Sequence, residues 1–381
     1  MSPASTFDRA TSLAVAFGFS VSLGVATVAI PLLALEAGYD APAIGFLVAT
    51  SAVAQLGTRL GLPWLLGRWP DRTLIAVAST IMLAGFGLLL ASTALPVFVG
   101  AQLCQGTARA IFWTASQTHA IRGGGRPIQR LIDLNVSGNA GTLVGPALAG
   151  SLAVIGLSVS LAAAALGAAL AALGSILLQR FPPYDRRLSA GTTGLLRRDG
   201  VDVACWANVI GGGWWSMVGS YIPVILVGAG LGPIAIGWLI TASEGAGMVA
   251  LVALRSIRGA SIRRALRLAA AIVVAALIGI ALAPASLAVY AVLLLAGGAA
   301  GGAVTTLAPA LVSLAAGEQE QGDALALSGT FRAAALLGAP ASVGLLLSAL
   351  SLPGAMIVLA ASLGGSGLIV GRKGRRSISG G

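Results

Sequence analysis

Residues 30–51 read IPLLALEAGYDAPAIGFLVATS, and residues 222–243 read IPVILVGAGLGPIAIGWLITAS. At a fixed offset of 192, nine of these 22 positions are identical, including Ile30/Ile222, Pro31/Pro223, Gly38/Gly230, Ala43-Ile44-Gly45/Ala235-Ile236-Gly237 and Ser51/Ser243. The match runs without a gap through an apolar end, a Gly-containing turn and a second apolar beginning. Each copy therefore reads as the end of one helix, a short loop and the start of the next. The chain is a repeat, and its repeating unit is built from apolar helices.

Working outward, apolar spans fall near 12–36, 42–66, 73–92, 95–120, 132–155, 158–180, 203–228, 233–254, 266–283, 287–314, 324–349 and 353–371. A helix crosses a bilayer in roughly 17–25 residues, so twelve crossings are predicted. Composition agrees. The 381 residues are 57% hydrophobic and 9% charged, where a soluble domain carries roughly a quarter charged residues. Such a chain cannot cover a surface facing water, but it can face lipid, where helices satisfy their own backbone hydrogen bonds. The polar start, with Asp8 and Arg9, predicts no signal peptide. Cys104 and Cys205 lie inside apolar segments and read as packing residues, not as a disulfide or metal site.

The formal charge of +11 would suggest nucleic acid in a soluble protein, but its distribution points elsewhere. Basic residues fall after spans two (Arg68, Arg72), four (Arg122, Arg126, Arg130), six (Arg180, Arg186, Arg187, Arg197, Arg198) and eight (Arg255, Arg258, Arg263, Arg264, Arg267). Others fall in the tails, at Arg9, Arg372, Lys373, Arg375 and Arg376. The connections after spans one, three, five, seven, nine and eleven carry none. Positive residues stay cytoplasmic, which predicts a multi-pass cell (inner) membrane protein with both termini inside. The charge then serves topology and attraction to anionic lipid, with no nucleic-acid partner. The one acidic inner loop, with Glu318, Glu320 and Asp323, does not reverse the orientation, because acidic residues contribute little to it.

The longest polar connection lies near the middle of the chain. The predicted organisation is a six-helix half over 1–181, a central cytoplasmic loop over 182–200, and a second six-helix half over 201–381 that ends in a basic cytoplasmic tail. Six helices return the chain to the same side, so the halves are parallel repeats about an axis along the membrane normal.

Gly141-Thr-Leu-Val-Gly145-Pro146-Ala-Leu-Ala-Gly150 in span five resembles the GxxxGPxxGG motif of the major facilitator superfamily, with Ala149 in place of one glycine. Gly338-Ala-Pro340-Ala-Ser-Val-Gly344 in span eleven is a weaker echo. Small residues let backbones touch, and Pro146 removes a donor and bends its helix. The loop after span two, Leu65-Leu66-Gly67-Arg68-Trp69-Pro70-Asp71-Arg72, resembles the family's GxLaDrxGrr pattern, with Gly67 and Pro70 departing from it. Gln102-Leu-Cys-Gln105-Gly106-Thr-Ala-Arg109-Ala110 resembles its RxxqGxxxA pattern, with Gln102 replacing the arginine. The resemblance implies an all-α membrane protein with an MFS-like bundle of 12 transmembrane helices in two parallel repeats. It also implies a domain-interface motif at Gly141, Gly145, Pro146, Gly150, Pro340 and Gly344, and cytoplasmic-gate candidates at Arg68, Asp71 and Arg72. The first, second, fourth and fifth helices of each half would line a central cavity, and access would alternate by rocking.

Charges inside spans are functional candidates. Three lie well inside: Arg109, Glu244 and Arg332. Glu244 is ~16 Å from the start of its span, near the midplane. It reads either as the proton-coupling carboxylate or as a permanent partner of Arg332 or Arg109. Gln102, Gln105, Arg109 and Ser116 share one helical face. With Trp214, Trp215, Thr241 and Arg332 they form the substrate-cavity candidates. Two Arg and one Glu favour a neutral, polar or anionic substrate. His119 at the end of span four reads as a snorkelling or loop-capping residue. The single His excludes a His-based catalytic triad, and no GxxxxGK[ST] occurs, so no enzyme, metal or cofactor is expected.

The functional expectation is a secondary active transporter of small molecules, with the efflux branch and proton antiport suggested by the resemblance. Its partners would be substrate, protons and membrane lipid. An uptake or facilitated-diffusion carrier for a sugar or organic acid stands as the alternative, and a non-transporting membrane sensor as a reading of another class.

Overall fold

The computed structural model describes residues 3–123, 127–183, 194–254, 257, 260–316 and 321–376, and all regular structure among them is helical. The elements in chain order are α1 (Pro3–Glu36), α2 (Ala41–Arg68), α3 (Asp71–Ala91), α4 (Leu95–Arg122), α5 (Pro127–Leu152) and α6 (Leu157–Ile176). After the 3-10 turn Leu195–Arg197 come α7 (Val201–Val218), α8 (Tyr221–Gly228), α9 (Pro233–Ala253), α10 (Ala260–Leu282), α11 (Leu287–Ala315), α12 (Gln321–Leu346) and α13 (Leu352–Arg376). Most of the central loop lies outside the described residues, as do Arg126, Arg186, Arg187, Arg255, Arg258, Glu318 and Glu320.

Every apolar segment read from sequence is helical, but the seventh is broken. α7 and α8 meet at a 45° bend formed by Gly219 and Ser220, just before Pro223. A Gly/Ser pair followed by a residue without an N–H is a sufficient cause of a kink. In the first repeat, Thr27 and Val28 stand at the equivalent places and α1 runs on through Pro31. Among the described residues, eight helices are long and apolar enough to cross a membrane, or nine if α7 and α8 form one broken span. α4, α5 and α13 are not among them. Polar residues (Gln102, Gln105, Arg109 and His119 in α4; Asp133, Asn135 and Asn139 in α5) lower the hydropathy of the first two. In α13 the stretch counted, Leu352–Gly365, covers only part of the helix. Large aliphatics remain exposed on the helices, among them Leu60 (82%), Val249 (69%) and Leu314 (70%), as on a surface solvated by lipid. The chain is a multi-pass membrane protein.

The chain divides into two compact units. Unit 1 holds residues 1–39, 47–187 and 232–241; unit 2 holds 40–46, 188–231 and 242–381. The short segments 40–46 and 232–241 are the first turns of α2 and α9, separated in sequence by the repeat offset. Each clusters apart from the remainder of its own helix.

The repeat is visible bond by bond. Ala37 N–H donates to Leu33 O (2.9 Å), Gly38 N–H to Leu35 O (3.0 Å) and Tyr39 N–H to Ala34 O (3.0 Å). At the offset positions, Ala229 donates to Ile225 (2.9 Å), Gly230 to Val227 (2.8 Å) and Leu231 to Leu226 (3.0 Å). Gly38 and Gly230 have φ of +83° and +80°, the left-handed helix end that favours glycine. Deeper in each unit, a Cβ on Gly106 of α4 would strike the Ser51 carbonyl of α2, and one on Gly298 of α11 would strike the Ser243 carbonyl of α9. Gly106/Gly298 and Ser51/Ser243 are again 192 apart.

Candidate functional site

At one end of unit 1, five chain segments place charged groups together. His119, at the end of α4, is fully buried and sits between two buried carboxylates. Its Nε2 is 3.2 Å from Asp8 Oδ1, and its Nδ1 is 3.5 Å from Asp71 Oδ2. Asp8 also accepts the Gln179 N–H at 2.7 Å. Asp71 also faces Arg122 Nη1 at 3.5 Å, and Arg122 donates to Pro182 O at 2.6 Å. Arg9 pairs with Asp133, which accepts from Gln129 at 3.1 Å. Phe181 covers the group, its ring 5.1 Å from that of His119 and 5.2 Å from the Arg122 guanidinium. Buried charges persist only when paired, and these are.

The gate candidates join this cluster differently. Asp71 is enclosed in it, at 1% exposure. Arg72 donates to Leu178 O at 3.2 Å. Arg68 lies 5.5 Å over the Trp64 ring. The contacts of all three are with residues of unit 1. His119 does not snorkel, contrary to the sequence reading, because its ring is enclosed between acids. Sequence reasoning also passed over Asp8, whose partners, His119 of α4 and Gln179 just after α6, lie 111 and 171 residues away.

Further along α4 the polar stripe is inward-facing. Gln102, Gln105 and Ser116 are buried, at 3%, 2% and 2% exposure. Gln105 Nε2, Arg109 Nε and Ser116 Oγ have no hydrogen-bond partner among the described residues.

In unit 2, Glu244 of α9 is partly exposed and lies within electrostatic reach of Arg332 of α12. Trp215 stands beside Gly247 of α9. Two cavity candidates are placed otherwise than expected. Trp214 is fully buried, its ring filling the space over Gly297 and Gly301 of α11, so it packs the interior. Thr241 has its hydroxyl in the backbone ladder of α5: Ala147 N–H donates to Thr241 Oγ1 at 2.9 Å, and Thr241 Oγ1 donates to Leu143 O at 3.1 Å. A side chain inserted between i and i−4 partners, next to Pro146, marks a bend in the helix.

The small-residue motif splits in two. Gly141 and Gly145 meet α1, at Phe17, Ser20 and Gly24, within unit 1. Both contacts lie inside unit 1. Pro146 and Gly150 meet Gly237 of α9, also in unit 1. In unit 2, Pro340 and Gly344 meet Gly45 of α2. Gly45 and Gly237 are repeat equivalents, so the first turn of α2 and that of α9 each receive one copy of a Pro-x-x-x-Gly run. Among the described residues, no cluster of three or more His, Cys, Asp or Glu is arranged to hold a metal.

A bundle of long apolar helices carrying isolated charges within its spans defines a polytopic membrane protein. The Major Facilitator Superfamily model matches residues 12–340, and the chain belongs to that family. Its fold is shared with a nucleoside transporter, NupG (D323A mutant; TM-score 0.77, 10% identity, 97% of this chain and 99% of that one). A POT family transporter in complex with a thioalcohol-conjugated peptide aligns at TM-score 0.76 and 12% identity, over 95% of each chain. A bacterial homolog of the human lysosomal transporter Spinster aligns at TM-score 0.72 and 11% identity, over 98% of this chain and 96% of that one. No curated protein sequence matches.

Proposed function

We propose that this protein is a secondary active transporter of small molecules that works by alternating access, and that it exports its substrate in exchange for protons carried by Glu244. Twelve spans in two parallel six-helix repeats, an inner-membrane location and cytoplasmic termini complete the reading, on the strength of the alternating basic connections. The observation that carries it is the state of Glu244. The carboxylate is partly exposed and feels Arg332 electrostatically. A carboxylate clamped by hydrogen bonds is held ionised; one that is only steered by a nearby cation keeps the freedom to gain and lose a proton. Intramembrane carboxylates in this condition mark proton pathways.

The test is flux in proteoliposomes with an imposed pH gradient. Substrate movement opposite to the proton gradient, lost in Glu244→Gln and retained in part by Glu244→Asp, is the expected result. Equal flux in Glu244→Gln would remove Glu244 from coupling. Substrate and protons moving in the same direction would establish the uptake alternative, and absence of flux across a broad panel would favour the sensor reading.

A further inference from the structure

We infer that the substrate carries an anionic group, a carboxylate or phosphoryl, received in unit 1 by Arg109 together with Gln105 and Ser116 of the same α4 face. This inference rests on the transport reading and names the substrate class it implies.

Arg109 lies ~21 Å along α4 from Leu95, well inside a hydrocarbon layer of ~30 Å. Its Nε is fully enclosed and without a partner. A guanidinium cannot shed its charge, and at that depth a cation persists only with a counter-charge or dense hydrogen bonding. Among the described residues, Arg109 Nε finds no hydrogen-bond acceptor. The contrast lies within the molecule, since Arg332 has Glu244 in reach. One turn from Arg109, Gln105 is 2% exposed and its Nε2 is also unpartnered. Two turns beyond, on the same stripe, Ser116 Oγ is unpartnered as well. Three groups able to donate, one of them charged, thus share a face on which Gln105 Nε2, Arg109 Nε and Ser116 Oγ find no partner.

The repeat supplies an internal control. At the offset of 192, the equivalents of Gln105, Arg109 and Ser116 are Gly297, Gly301 and Ala308. In unit 2 that face is closed by the Trp214 ring lying on Gly297 and Gly301. At these three positions the helix of unit 2 carries no polar side chain, and the space is taken by the Trp214 ring, whose own Nε1 is buried without a partner. The polar stripe of unit 1 is not a packing requirement, and its missing acceptor is supplied by what it binds. The spread of donors suits an anionic group with further acceptors along its length, because charge-assisted bonds to a guanidinium are the strong, geometry-setting contacts.

The experiment measures ligand-dependent thermal stabilisation of the purified full chain in detergent. The probes are inorganic phosphate, succinate and benzoate, with succinamide and benzamide as uncharged counterparts. The expected result is stabilisation by at least one anion and not by its uncharged counterpart. Apparent affinity should weaken by about tenfold or more in Arg109→Gln and recover in part in Arg109→Lys. Gln105→Leu, which keeps the charge, provides a second variant with a smaller loss. Phosphate alone or the carboxylates alone distinguish the two anionic groups.

Stabilisation by the uncharged counterparts equal to that by the anions overturns the inference. So does anion stabilisation unchanged in a folded, monodisperse Arg109→Gln, or stabilisation by none of the probes. Stabilisation by phosphatidylglycerol and by no small anion assigns the site to a lipid headgroup and overturns the substrate reading. Proton-driven flux of an uncharged compound that survives Arg109→Gln would leave the transport reading standing while this inference fails.

Discussion

Gly237→Ala tests the close approach of α9 to α5. A Cβ on Gly237 would lie 3.0 Å from Gly150 Cα and 3.1 Å from Gly150 N, and closer still to the Pro146 carbonyl. Carbon atoms settle at about 3.5–4.0 Å, so the first turns of α9 must withdraw by roughly 1 Å. Overpacking of this kind costs about 1–3 kcal/mol. The same withdrawal stretches the two Thr241 bonds, now 2.9 and 3.1 Å, beyond useful length. Each lost bond adds about 0.5–1.5 kcal/mol. The sum, about 2–6 kcal/mol, should lower the melting temperature by roughly 5–20 °C for a unit of this size. The assay is thermal reaction of a thiol-reactive dye in a Cys205→Ala background, so that Cys104 of α4 reports on unit 1. Gly57→Ala is the control, since a Cβ there meets nothing within 4 Å. It should melt at or above the parent temperature, because alanine is the better helix former. Equal melting of Gly237→Ala and the parent, or an equal fall in Gly57→Ala, would refute the argument from close packing.

Thr241→Val keeps the shape and removes both backbone bonds, so it should destabilise by about 1–2 kcal/mol, whereas Thr241→Ser, which keeps the hydroxyl, should lie near the parent in the same dye assay. Gly38→Ala and Gly230→Ala each force a side chain into a left-handed helix end and should each cost about 1–2 kcal/mol, read as two similar falls in melting temperature. Asp71→Ala leaves His119 and Arg122 facing a missing carboxylate and should cost about 3 kcal/mol or more. Arg263→Ala breaks only the pair with Asp199, whose side chain is 51% exposed, and should shift melting by no more than about 1 kcal/mol.

Much of the architecture is legible in the sequence because the bilayer imposes length and polarity on each helix separately. The turn at Gly38 and its copy at Gly230 could be read for the same reason, since a left-handed helix end is a local demand on one residue. The broken helix at Gly219-Ser220 carried a local signal too, the pair followed by Pro223, which the apolar run around it obscured. The charged cluster was not legible. Asp8, Asp71 and His119 are far apart in the chain, and an isolated Asp in a polar N-terminal stretch looks like any exposed Asp. The unpartnered stripe on α4 was visible as a pattern, but the absence of a partner for Arg109 Nε required the coordinates.

By itself, the sequence determined that this chain lives in a membrane, that it repeats once at an offset of 192, and that it resembles the family to which it belongs. These follow from composition, periodicity and local turn chemistry, which neighbouring residues carry within a single helix. The tertiary structure alone decided which side of a helix its small residues serve. Gly141 and Gly145 turned out to pack on α1, Pro146 and Gly150 on α9, and Thr241 to enter the ladder of α5. It also decided that the offset equivalents of Arg109 and Gln105 lie under a tryptophan ring. Such choices depend on what the opposing helix presents, a relation between distant segments that the spacing within one segment does not contain.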